Sequence, residues 1–385
     1  MERGGSRVER LFWREVNSGE NPSEPDRSDF LFKMFASHRT TQPPNNPTTV
    51  FMKALVLDAQ KQLSLTEVPK PKPQPGEVRV RIHAAALNHR DLWIQKGLYP
   101  GMKLPCILGA DGAGIIDSVG KGVDEGSIGE AVVIYPAMAW GGNPLVPGKQ
   151  FRVLGMPDPG TFAEYICVPA ENIFSSPYAT DALHAAAALP LTFLTAYRAL
   201  RVGAPENWSG KKALITGIGG GVATAGLAQL TAGGTEIYVT SSSPEKIAEA
   251  IERGARGGVN YRDEDWTTQL KALSGGIDFV LDGSPAADFS SYLKFLNPGA
   301  KVVCYGATGS LTTTIQLPKF FLRYISLIGS TMGSPTDFAE MLDWIEEMDG
   351  SVAHHISEVF SFADYQKAFD LMARGEQMGK IVLTW

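Results

Sequence analysis

The stretch that decides the fold of this sequence is Leu214-Ile215-Thr216-Gly217-Ile218-Gly219-Gly220-Gly221-Val222-Ala223. An apolar run leads into a cluster of glycines, and a helical pattern follows at once. Glycines allow a tight turn and a close backbone approach to a ligand, while a helix N-terminus offers free N–H groups to an anion. We therefore predict a strand, a turn and a helix that bind the pyrophosphate of a dinucleotide. The alternative is a glycine-rich turn that binds no ligand. The predicted contacts are Gly217, Gly219, Gly220, Gly221 and Val222.

The end of the next predicted strand indicates which dinucleotide is bound. An enzyme that uses NAD places an acidic residue there, about 20 residues past the glycines, against the ribose hydroxyls. This chain instead has Thr240-Ser241-Ser242-Ser243, followed by Lys246. Hydroxyl donors and a cation suit a 2′-phosphate, which an acid would repel. The sequence therefore favours NADPH, with Ser241, Ser242 and Lys246 as contacts, although a single lysine can also be an ordinary exposed helix residue.

Strand and helix patterns alternate around the glycine-rich turn. Predicted strands cover 212–216, 235–240, 277–281 and 300–305, and predicted helices cover 222–231 and 244–253. This alternation predicts an α/β fold with a parallel, doubly wound sheet of the Rossmann type. Short strands punctuated by Gly and Pro come earlier, at 53–57, 78–82, 114–119, 131–134 and 164–168, and a closing strand covers 380–384. The earlier strands predict a β-rich unit that the C-terminus completes.

These patterns divide the chain into four segments. Residues 1–51 carry many charges and prolines without apolar periodicity, and we expect a disordered N-terminal extension. The β-rich unit begins in 52–180, the dinucleotide-binding unit occupies 181–315, and 316–385 returns to complete the edge of the parallel sheet and the β-rich unit. At the start of the third segment, the apolar stretch from Leu183 to Leu200 predicts a buried helix, because it is too short and interrupted for a membrane span.

Composition excludes several classes of function and location. The formal net charge is -6 and no basic block stands out, so nucleic acid is not an expected partner. The three cysteines are widely spaced, which argues against a disulfide framework and suits a reducing compartment. No secretory segment is visible, and we expect a cytoplasmic protein. An acid-free piece after Met34 leaves organelle import open, and a true start at Met52 is an alternative.

Further motifs resemble the medium-chain dehydrogenase/reductase superfamily over Met52 to Trp385. They are Asn88-His89-Arg90-Asp91-Leu92, Gly97-Leu98-Tyr99-Pro100, Gly109-Ala110-Asp111-Gly112-Ala113-Gly114 and Gly160-Thr161-Phe162-Ala163-Glu164-Tyr165. The nearest subgroup looks like the zinc-free quinone oxidoreductases (zeta-crystallin-like) and the zinc-type alcohol-dehydrogenase-like proteins. The resemblance implies a GroES-like catalytic domain on a Rossmann domain, with the active site in the cleft.

The resemblance also implies roles for individual residues. Lys246 and Tyr261 match positions that contact the 2′-phosphate, Asn88 matches one near the nicotinamide, and Lys380 matches a cofactor-side position. The turn of this subgroup reads G-x-x-G-G-V-G, which the chain follows except at Ala223. The added methyl is expected to shift the pyrophosphate slightly without excluding it.

The metal ligands of the zinc alcohol dehydrogenases are missing from the matching positions. Those enzymes place a Cys in the loop that matches 87–91 and a His where this chain has Ala110. They also carry four closely spaced cysteines in the lobe that matches 136–159, which has none here. Zinc takes three or four Cys, His or carboxylate ligands, so the sequence predicts no metal.

Two other groups of residues invite a metal interpretation. His89, Asp91 and Asp111 form an imaginable trio, although His89 is better explained by ordinary polar contacts. The adjacent His354 and His355 would point to opposite faces of a strand, so they are not expected to chelate together. We expect this pair to lie in a loop or at the surface.

Without zinc no Lewis acid holds an alkoxide, so the expected substrates are conjugated ones that accept hydride directly, a quinone or an α,β-unsaturated carbonyl. The candidate catalytic residues are Asn88 and Tyr99. Asn88 can hydrogen-bond the nicotinamide ribose or the substrate carbonyl. Tyr99 follows Asn88 by eleven residues, a spacing that resembles the enoyl-thioester reductase branch, where the tyrosine assists proton delivery. A pocket wall is the alternative for Tyr99, and Asp91 is expected to orient Arg90 or cap a helix.

The predicted function is therefore NADPH-dependent reduction of a small quinone or conjugated carbonyl. An enoyl-thioester reductase and a non-catalytic, crystallin-like or scaffold protein that binds NADPH are the alternatives. By analogy with the family we expect a homodimer that joins Rossmann sheets edge to edge, with apolar edge material at 300–306 and 325–330.

Overall fold

The structure is a computed structural model that describes residues 49–203, 208, 210–348 and 352–385. Nearly all of the expected N-terminal extension lies outside these residues. The chain divides into two compact units. The first takes the described residues up to Pro190, with Val359–Ala373 and Ile381–Trp385, and the second takes Leu191–Glu358 and Arg374–Lys380.

The regular elements are numbered here in chain order. The strands are β1 Phe51–Leu57, β2 Leu63–Pro69, β3 Glu77–Ala86, β4 Cys106–Ile107, β5 Asp111–Val119, β6 Ala131–Ile134, β7 Ala137–Met138, β8 Arg152–Val153, β9 Tyr165–Pro169, β10 Ile173–Ser175, β11 Lys212–Ile215, β12 Glu236–Ser241, β13 Gly257–Asn260, β14 Ile277–Asp282, β15 Leu296–Cys304, β16 Ser326–Gly329, β17 Ile356–Ser361 and β18 Lys380–Thr384. The α-helices are α1 His89–Gln95, α2 Leu183–Ala187, α3 Thr192–Gly203, α4 Gly221–Ala232, α5 Pro244–Glu252, α6 Trp266–Ser274, α7 Leu317–Phe321, α8 Pro335–Glu347 and α9 Tyr365–Arg374. Short 3-10 helices cover Glu125–Ser127, Ala170–Asn172, Thr180–Ala182, Phe289–Lys294 and Phe362–Asp364.

The second unit is built on a six-stranded sheet whose order is β13-β12-β11-β14-β15-β16. Every neighbouring pair in it is parallel. Both faces are apolar, because Ala213 and Ile215 pack into one cluster and Leu214 and Val280 into another. A parallel sheet needs such cover on both faces, since its crossover helices lie on both sides. The predicted doubly wound sheet is confirmed, with the strand order typical of dinucleotide-binding folds.

The first unit is a β-rich structure. Its largest sheet has the order β10-β6-β5-β3-β18-β17, with β9 also pairing β3, and a smaller one has the order β2-β1-β4. The C-terminal strand β18 pairs antiparallel with β3, and the amide of Leu87 donates to the carbonyl of Ile381 at 2.9 Å. The predicted β-rich unit completed by the C-terminus is therefore confirmed.

The stretch from Leu183 to Leu200 differs from the expectation of one buried helix. It forms α2, which ends at Ala187, and α3, which begins at Thr192. Pro190 lies between them, and a proline lacks the N–H of a helix interior and disfavours helical geometry in the residue before it. Two helices thus replace the one predicted. None of the described helices is long and apolar enough to cross a membrane.

Candidate functional site

The glycine-rich turn joins β11 to α4 in the second unit, as the sequence predicts. Gly217 has a φ of +62°, a backbone conformation that glycine adopts without strain. Its amide donates to Thr240 Oγ1 at 3.2 Å, and the amide of Gly220 donates to the carbonyl of Gly217 at 3.0 Å. The turn is therefore closed by its own backbone and tied to the end of β12.

Space is open in front of the helix N-terminus. Gly220 is the N-cap residue of α4, with φ -78° and ψ 150°. A Cβ added there would meet only the carbonyl oxygen of Gly217, at 3.5 Å, which is an ordinary contact. The first amides of α4 have no partner within the helix, so they can receive an anion. This geometry fits the pyrophosphate of a dinucleotide.

The methyl of Ala223 does not face that space. Ala223 is fully buried and belongs to the cluster that contains Ile215 and Ile218 on one face of the sheet. The expected shift of the pyrophosphate by this methyl is therefore wrong, because the methyl packs against the strand. One turn later, a Cβ on Gly226 would lie 2.2 Å from Leu281 Cδ2, so glycine allows α4 to approach the sheet closely here.

The start of α4 packs against two buried polar residues, Thr192 and Lys380. A Cβ on Gly221 would lie 3.0 Å from Thr192 Cγ2 and 3.2 Å from Lys380 Cδ. Lys380 is only 1% exposed, and its amide donates to the carbonyl of His355 at 2.9 Å. Val222 is half-buried in the first turn of α4. Lys380 thus lies beside the start of the helix.

His354 adjoins Thr192, and its position agrees with the expectation of a loop. It is buried, and its Nε2 lies 2.8 Å from Thr192 Oγ1. Its Nδ1 lies 3.2 Å from the carbonyl oxygen of His355. Burial, with the positive charge of Lys380 as a second cause, lowers the pKa of His354 to about 3. The imidazole is therefore neutral across the physiological range.

The end of β12 carries the serines predicted to contact a 2′-phosphate. Ser241 is buried and Ser242 is half-buried. The hydroxyl oxygen of Ser241 accepts from the amide of Ser243 at 3.1 Å. The amide of Tyr261 donates to the carbonyl of Ser241 at 3.3 Å, and Tyr261 is 45% exposed. The structure thus brings Ser241 and Tyr261 together.

Lys246 lies over the glycine-rich turn and also serves as a structural tie. A Cβ on Gly219 would lie 2.9 Å from its Nζ. The ammonium donates to the carbonyls of Gly375 and Gln377, both at 2.7 Å. An ammonium has three donors, so one remains beyond these two bonds. Burial lowers the pKa of Lys246, and the carboxylates of Glu249 and Glu376 oppose that shift.

A small cavity of about 340 Å³ adjoins Lys246. Its lining includes Glu245, Glu249, His355 and Glu376. Glu249 Oε1 lies 2.9 Å from His355 Nε2, so this carboxylate is already engaged. Lys246 is the one lysine or arginine among the lining residues of this cavity, and the carboxylates of Glu245, Glu249 and Glu376 would oppose the binding of a phosphate there.

The other predicted residues lie in the first unit, where Asn88 precedes helix α1. Asn88 is 4% exposed, and its Nδ2 donates to Asp111 Oδ2 at 3.0 Å. Its amide N–H donates to Asp91 Oδ2 at 2.8 Å, and its side chain faces the amide of Asp91 in return. Both aspartates are fully buried. The capping role expected for Asp91 is therefore present, as one half of a capping box.

Tight packing fixes Asp111 at the start of β5. Thr161 Oγ1 donates to the carbonyl of Asp111 at 2.7 Å. A Cβ on Gly112 would lie 2.8 Å from Thr161 Cγ2, and one on Gly109 would lie 2.4 Å from a ring carbon of Phe162. Gly109 also has a φ of +95°. The glycines near Asp111 therefore allow the close approach that holds this carboxylate in place.

Tyr99 is half-buried and packs against Arg90. The guanidinium carbon lies 4.9 Å from the centre of the Tyr99 ring, within the range of a cation–π interaction. Arg90 in turn donates to the carbonyls of Leu154 and Met156. Arg90, which lies two positions after Asn88, therefore holds the Tyr99 ring in place.

The residues around Asn88 do not fit the zinc site of the alcohol dehydrogenases. Ala110 is buried where those enzymes have a histidine, and His89 is exposed. Cys106 directs its thiol at the carbonyls of Ile107 and Gly155, at 3.4 and 3.5 Å. In the part of the chain that the structure describes, no three His, Cys, Asp or Glu side chains are grouped to hold a metal ion. The buried groups that meet at Asn88 are its amide and the two carboxylates.

Sequence reasoning missed the role of two residues in these sites. The sequence suggests Asp111 only as a member of a metal trio, yet its carboxylate is the partner of the Asn88 amide. The sequence signal that could have identified Asp111 is an acidic residue within an apolar, glycine-rich run. His354 gives no comparable signal, because its burial depends on Thr192, which lies 162 positions earlier.

Two family descriptions match the chain. The alcohol dehydrogenase GroES-like domain matches residues 74–178, and the zinc-binding dehydrogenase family matches residues 221–347. The first match lies within the β-rich unit and confirms the GroES-like expectation. The second begins at the first residue of α4 and continues to the last residue of α8.

Individual relatives cover most of the chain. A zinc-type alcohol dehydrogenase-like protein of Leptosphaeria maculans is 33% identical over 339 residues, which are 83% of this chain and 94% of that protein. A quinone oxidoreductase of Rattus norvegicus is 26% identical over 317 residues, which are 79% and 87% of the two chains. A crystal structure of an NAD-dependent alcohol dehydrogenase superposes with a TM-score of 0.78 at 33% identity, covering 87% of this chain and 100% of its own.

Proposed function

The chain belongs to the medium-chain dehydrogenase/reductase superfamily, and we propose that it transfers hydride from NADPH to a quinone or an α,β-unsaturated carbonyl without a metal ion. Members of this superfamily are oxidoreductases that bind a nicotinamide cofactor. The observation that carries the metal-free proposal is the donor set around Asn88, where Ala110 stands in place of an imidazole ligand. A conjugated acceptor suits such a site, because it delocalises the charge that the hydride brings.

The proposed reaction requires the protein to position the substrate against the nicotinamide and to supply one proton. When bound, the reduced nicotinamide supplies the hydride. The amides at the start of α4 and Lys380 would hold the phosphates of the dinucleotide, and Asn88 would orient its nicotinamide end. Tyr99 then donates its phenolic proton to the reduced substrate, while Arg90 holds the ring in place.

A panel of acceptors tests this function. We expect NADPH oxidation with quinones and enones and no turnover of simple ketones or alcohols, since nothing in the donor set polarises an isolated carbonyl as zinc would. A preference for enoyl thioesters over free enones would favour the enoyl-thioester reductase. Dinucleotide binding without turnover of any acceptor would favour the non-catalytic protein.

The choice of NADPH is supported by the serines that end β12 and by Lys246. Replacing Lys246 with alanine is expected to raise the Kd for NADPH by ~10- to 100-fold, since a hydrogen bond to a charged group contributes about 1.5–3 kcal/mol. The Kd for NADH should change by less than about threefold, because NADH lacks the 2′-phosphate. Fluorescence titration with both dinucleotides measures this difference.

The NADH titration is also the control for the structural role of Lys246, whose bonds to Gly375 and Gln377 disappear in either case. The exposed Lys149→Ala controls for the loss of a positive charge. Equal weakening of both dinucleotides would remove the argument for NADPH.

We also propose that the protein is a homodimer through the open edge of the parallel sheet. Strand β16 pairs only with β15 among the described strands. Exposed apolar side chains precede it in the chain, with Leu317 64%, Phe321 60%, Leu322 71% and Tyr324 82% exposed. An apolar patch beside an unpaired edge is typical of a subunit interface.

Light scattering tests the dimer. We expect twice the chain mass for the wild type and the chain mass for Leu322→Glu/Tyr324→Glu, because two carboxylates would be desolvated in the interface. Leu145→Glu, at a position 73% exposed in the first unit, should leave the dimer intact. A monomeric wild type at micromolar concentration would contradict this assembly.

We place the protein in the cytoplasm. The three cysteines are all free, as suits a reducing compartment. Burial raises the pKa of Cys106 to about 12, so its thiol is protonated and inert. Fractionation of cells that express the full chain tests this location, and the protein recovered in an organelle would contradict it.

A further inference from the structure

A groove lies in the second unit between the 3-10 helix Phe289–Lys294 and helix α7. Its volume is about 620 Å³, within the range of sites that bind small molecules. The rings of Phe289 and Phe320 connect the two walls, with centroids 5.9 Å apart, and both pack against the sheet face that contains Leu214 and Val280. The lining of this cationic groove includes Asp288, Leu293, Lys294, Lys319, Leu322 and Arg323.

The cationic groove reaches the end of the sheet that is opposite to the glycine-rich turn. Lys294 and Arg323 shortly precede β15 and β16, so they lie near the N-terminal ends of these strands. Gly217 follows the C-terminal end of β11, and the strands between are parallel. In such sheets a dinucleotide binds at the carboxyl ends of the strands. A ligand in the cationic groove would therefore occupy a separate site.

Positive charge predominates in the cationic groove. Lys294 and Lys319 are exposed, and within the described part of the chain neither ammonium forms a hydrogen bond or an ion pair. Arg323 is half-buried, and its guanidinium donates to the carbonyls of Leu293 and Leu296. A guanidinium has five N–H donors, so Arg323 keeps donors beyond these bonds. The groove thus combines two free ammonium groups with a cation that the backbone holds in place.

Asp288 is the one acidic residue among the described residues that line the groove, and it caps the 3-10 helix. Its Oδ1 accepts from the amide of Ser290 at 2.9 Å, and its Oδ2 accepts from the Ser290 hydroxyl. These hydrogen bonds lower the pKa of Asp288, and the charges of Lys319 and Lys294 lower it further. Both ammonium groups therefore act on the same carboxylate, which leaves an excess of positive charge.

We propose that the cationic groove binds the phosphate of a small phosphorylated molecule, whose organic part contacts Leu293 and Leu322. A phosphate monoester carries about two negative charges near neutral pH, which the excess of cations balances. Ammonium groups bind phosphate as point charges, and a guanidinium offers several donors to its oxygens. The proposal depends on neither the cofactor nor the hydride transfer. Because Leu322 also belongs to the apolar patch of the proposed dimer, the variants that test the groove leave it unchanged.

Calorimetric titration of the full chain with phenyl phosphate and with inorganic phosphate tests the site. We expect saturable binding of phenyl phosphate, ~5-fold or more tighter than inorganic phosphate, because the ring buries apolar area against the leucines. Lys294→Gln/Lys319→Gln should weaken phenyl phosphate by ~5- to 30-fold, since each exposed charge contributes modestly. The exposed Lys149→Gln, in the first unit, is the matched control and should bind within about twofold of the wild type.

Asp288→Asn should bind phenyl phosphate ~2- to 5-fold more tightly than the wild type. Asparagine keeps the N-cap of the 3-10 helix and removes the negative charge that opposes the ligand. A merely structural role for Asp288 predicts no such gain. Thermal unfolding of each variant confirms that it folds.

The glycine-rich turn can also receive a phosphate, so each titration is repeated in Gly220→Asp, where a carboxylate opposes phosphate at the turn. The effects of Lys294, Lys319 and Asp288 should persist in that background. Equal affinity of the wild type and the lysine double variant would overturn the proposal. So would the absence of saturable phenyl phosphate binding up to about 10 mM, or equal affinity for the two phosphates. None of these outcomes depends on whether a quinone or an enone is reduced.

Discussion

Replacing Gly220 with aspartate is expected to weaken dinucleotide binding strongly while leaving the fold intact or slightly more stable. Gly220 is the N-cap of α4, its φ and ψ suit any residue, and its Cβ would meet nothing closer than 3.5 Å. Aspartate is a favourable N-cap residue, worth a few tenths of a kcal/mol over glycine. Its carboxylate would accept from the same helix amides that receive the pyrophosphate and would repel the phosphates.

The expected change in the Kd for NADPH is ~100-fold or more, about 2.7 kcal/mol, with a similar loss for NADH because both share the pyrophosphate. Calorimetric titration measures the affinity and thermal unfolding measures the stability. Gly220→Ala is the matched control, which adds a Cβ without a charge or a cap and should bind within about tenfold of the wild type. Normal binding by a folded Gly220→Asp protein would show that the phosphates lie elsewhere.

Acidification is expected to destabilise the second unit through His354. The pKa of His354 is about 3 in the folded protein, against 6.5 for an unperturbed histidine, because the imidazole is buried beside Lys380. Below pH 6.5 the unfolded chain binds a proton that the folded protein does not. The free energy of unfolding therefore falls by about 1.4 kcal/mol for each pH unit between 6.5 and about 3.

Urea unfolding at a series of pH values checks this dependence by comparing the wild type with His354→Gln, which keeps a polar partner for Thr192 but does not titrate. Between about pH 7 and pH 5 the wild type should lose about 2 kcal/mol more than the variant. His355→Gln is the comparison variant, because burial and Arg253 lower the pKa of His355 as well, while Glu249 opposes that shift. His355→Gln should therefore remove less of the pH dependence than His354→Gln. Equal pH dependence of the wild type and His354→Gln would contradict the assignment.

Local features of the sequence determine most of the fold. The turn at Gly217, the alternation of strand and helix after it and the closing strand β18 are all predictable, because periodicity and glycine placement act over short distances. The ends of the strands are less predictable. Strand β3 runs to Ala86 and β15 begins at Leu296, both beyond the limits of the predicted strands. Pairing with neighbouring strands decides where a strand ends, and that information is not local.

The candidate sites are predictable in their residues but not in their contacts. The missing acid after β12 and the alanine at position 110 can be read from the sequence directly. The bonds of Lys246 to Gly375 and Gln377 cannot, because they join residues 129 and 131 positions apart. The same holds for Asp111 and Asn88, whose pairing depends on how β5 packs beside the start of α1.

The most direct test of a metal-free reductase is the rate of NADPH oxidation with a quinone before and after dialysis against a strong chelator, with the zinc content of the same samples measured. We predict an unchanged rate and zinc well below one equivalent per chain, since the described residues group no three His, Cys, Asp or Glu side chains that could hold it. Loss of the rate together with about one equivalent of zinc, and its return when zinc is restored, would contradict that prediction.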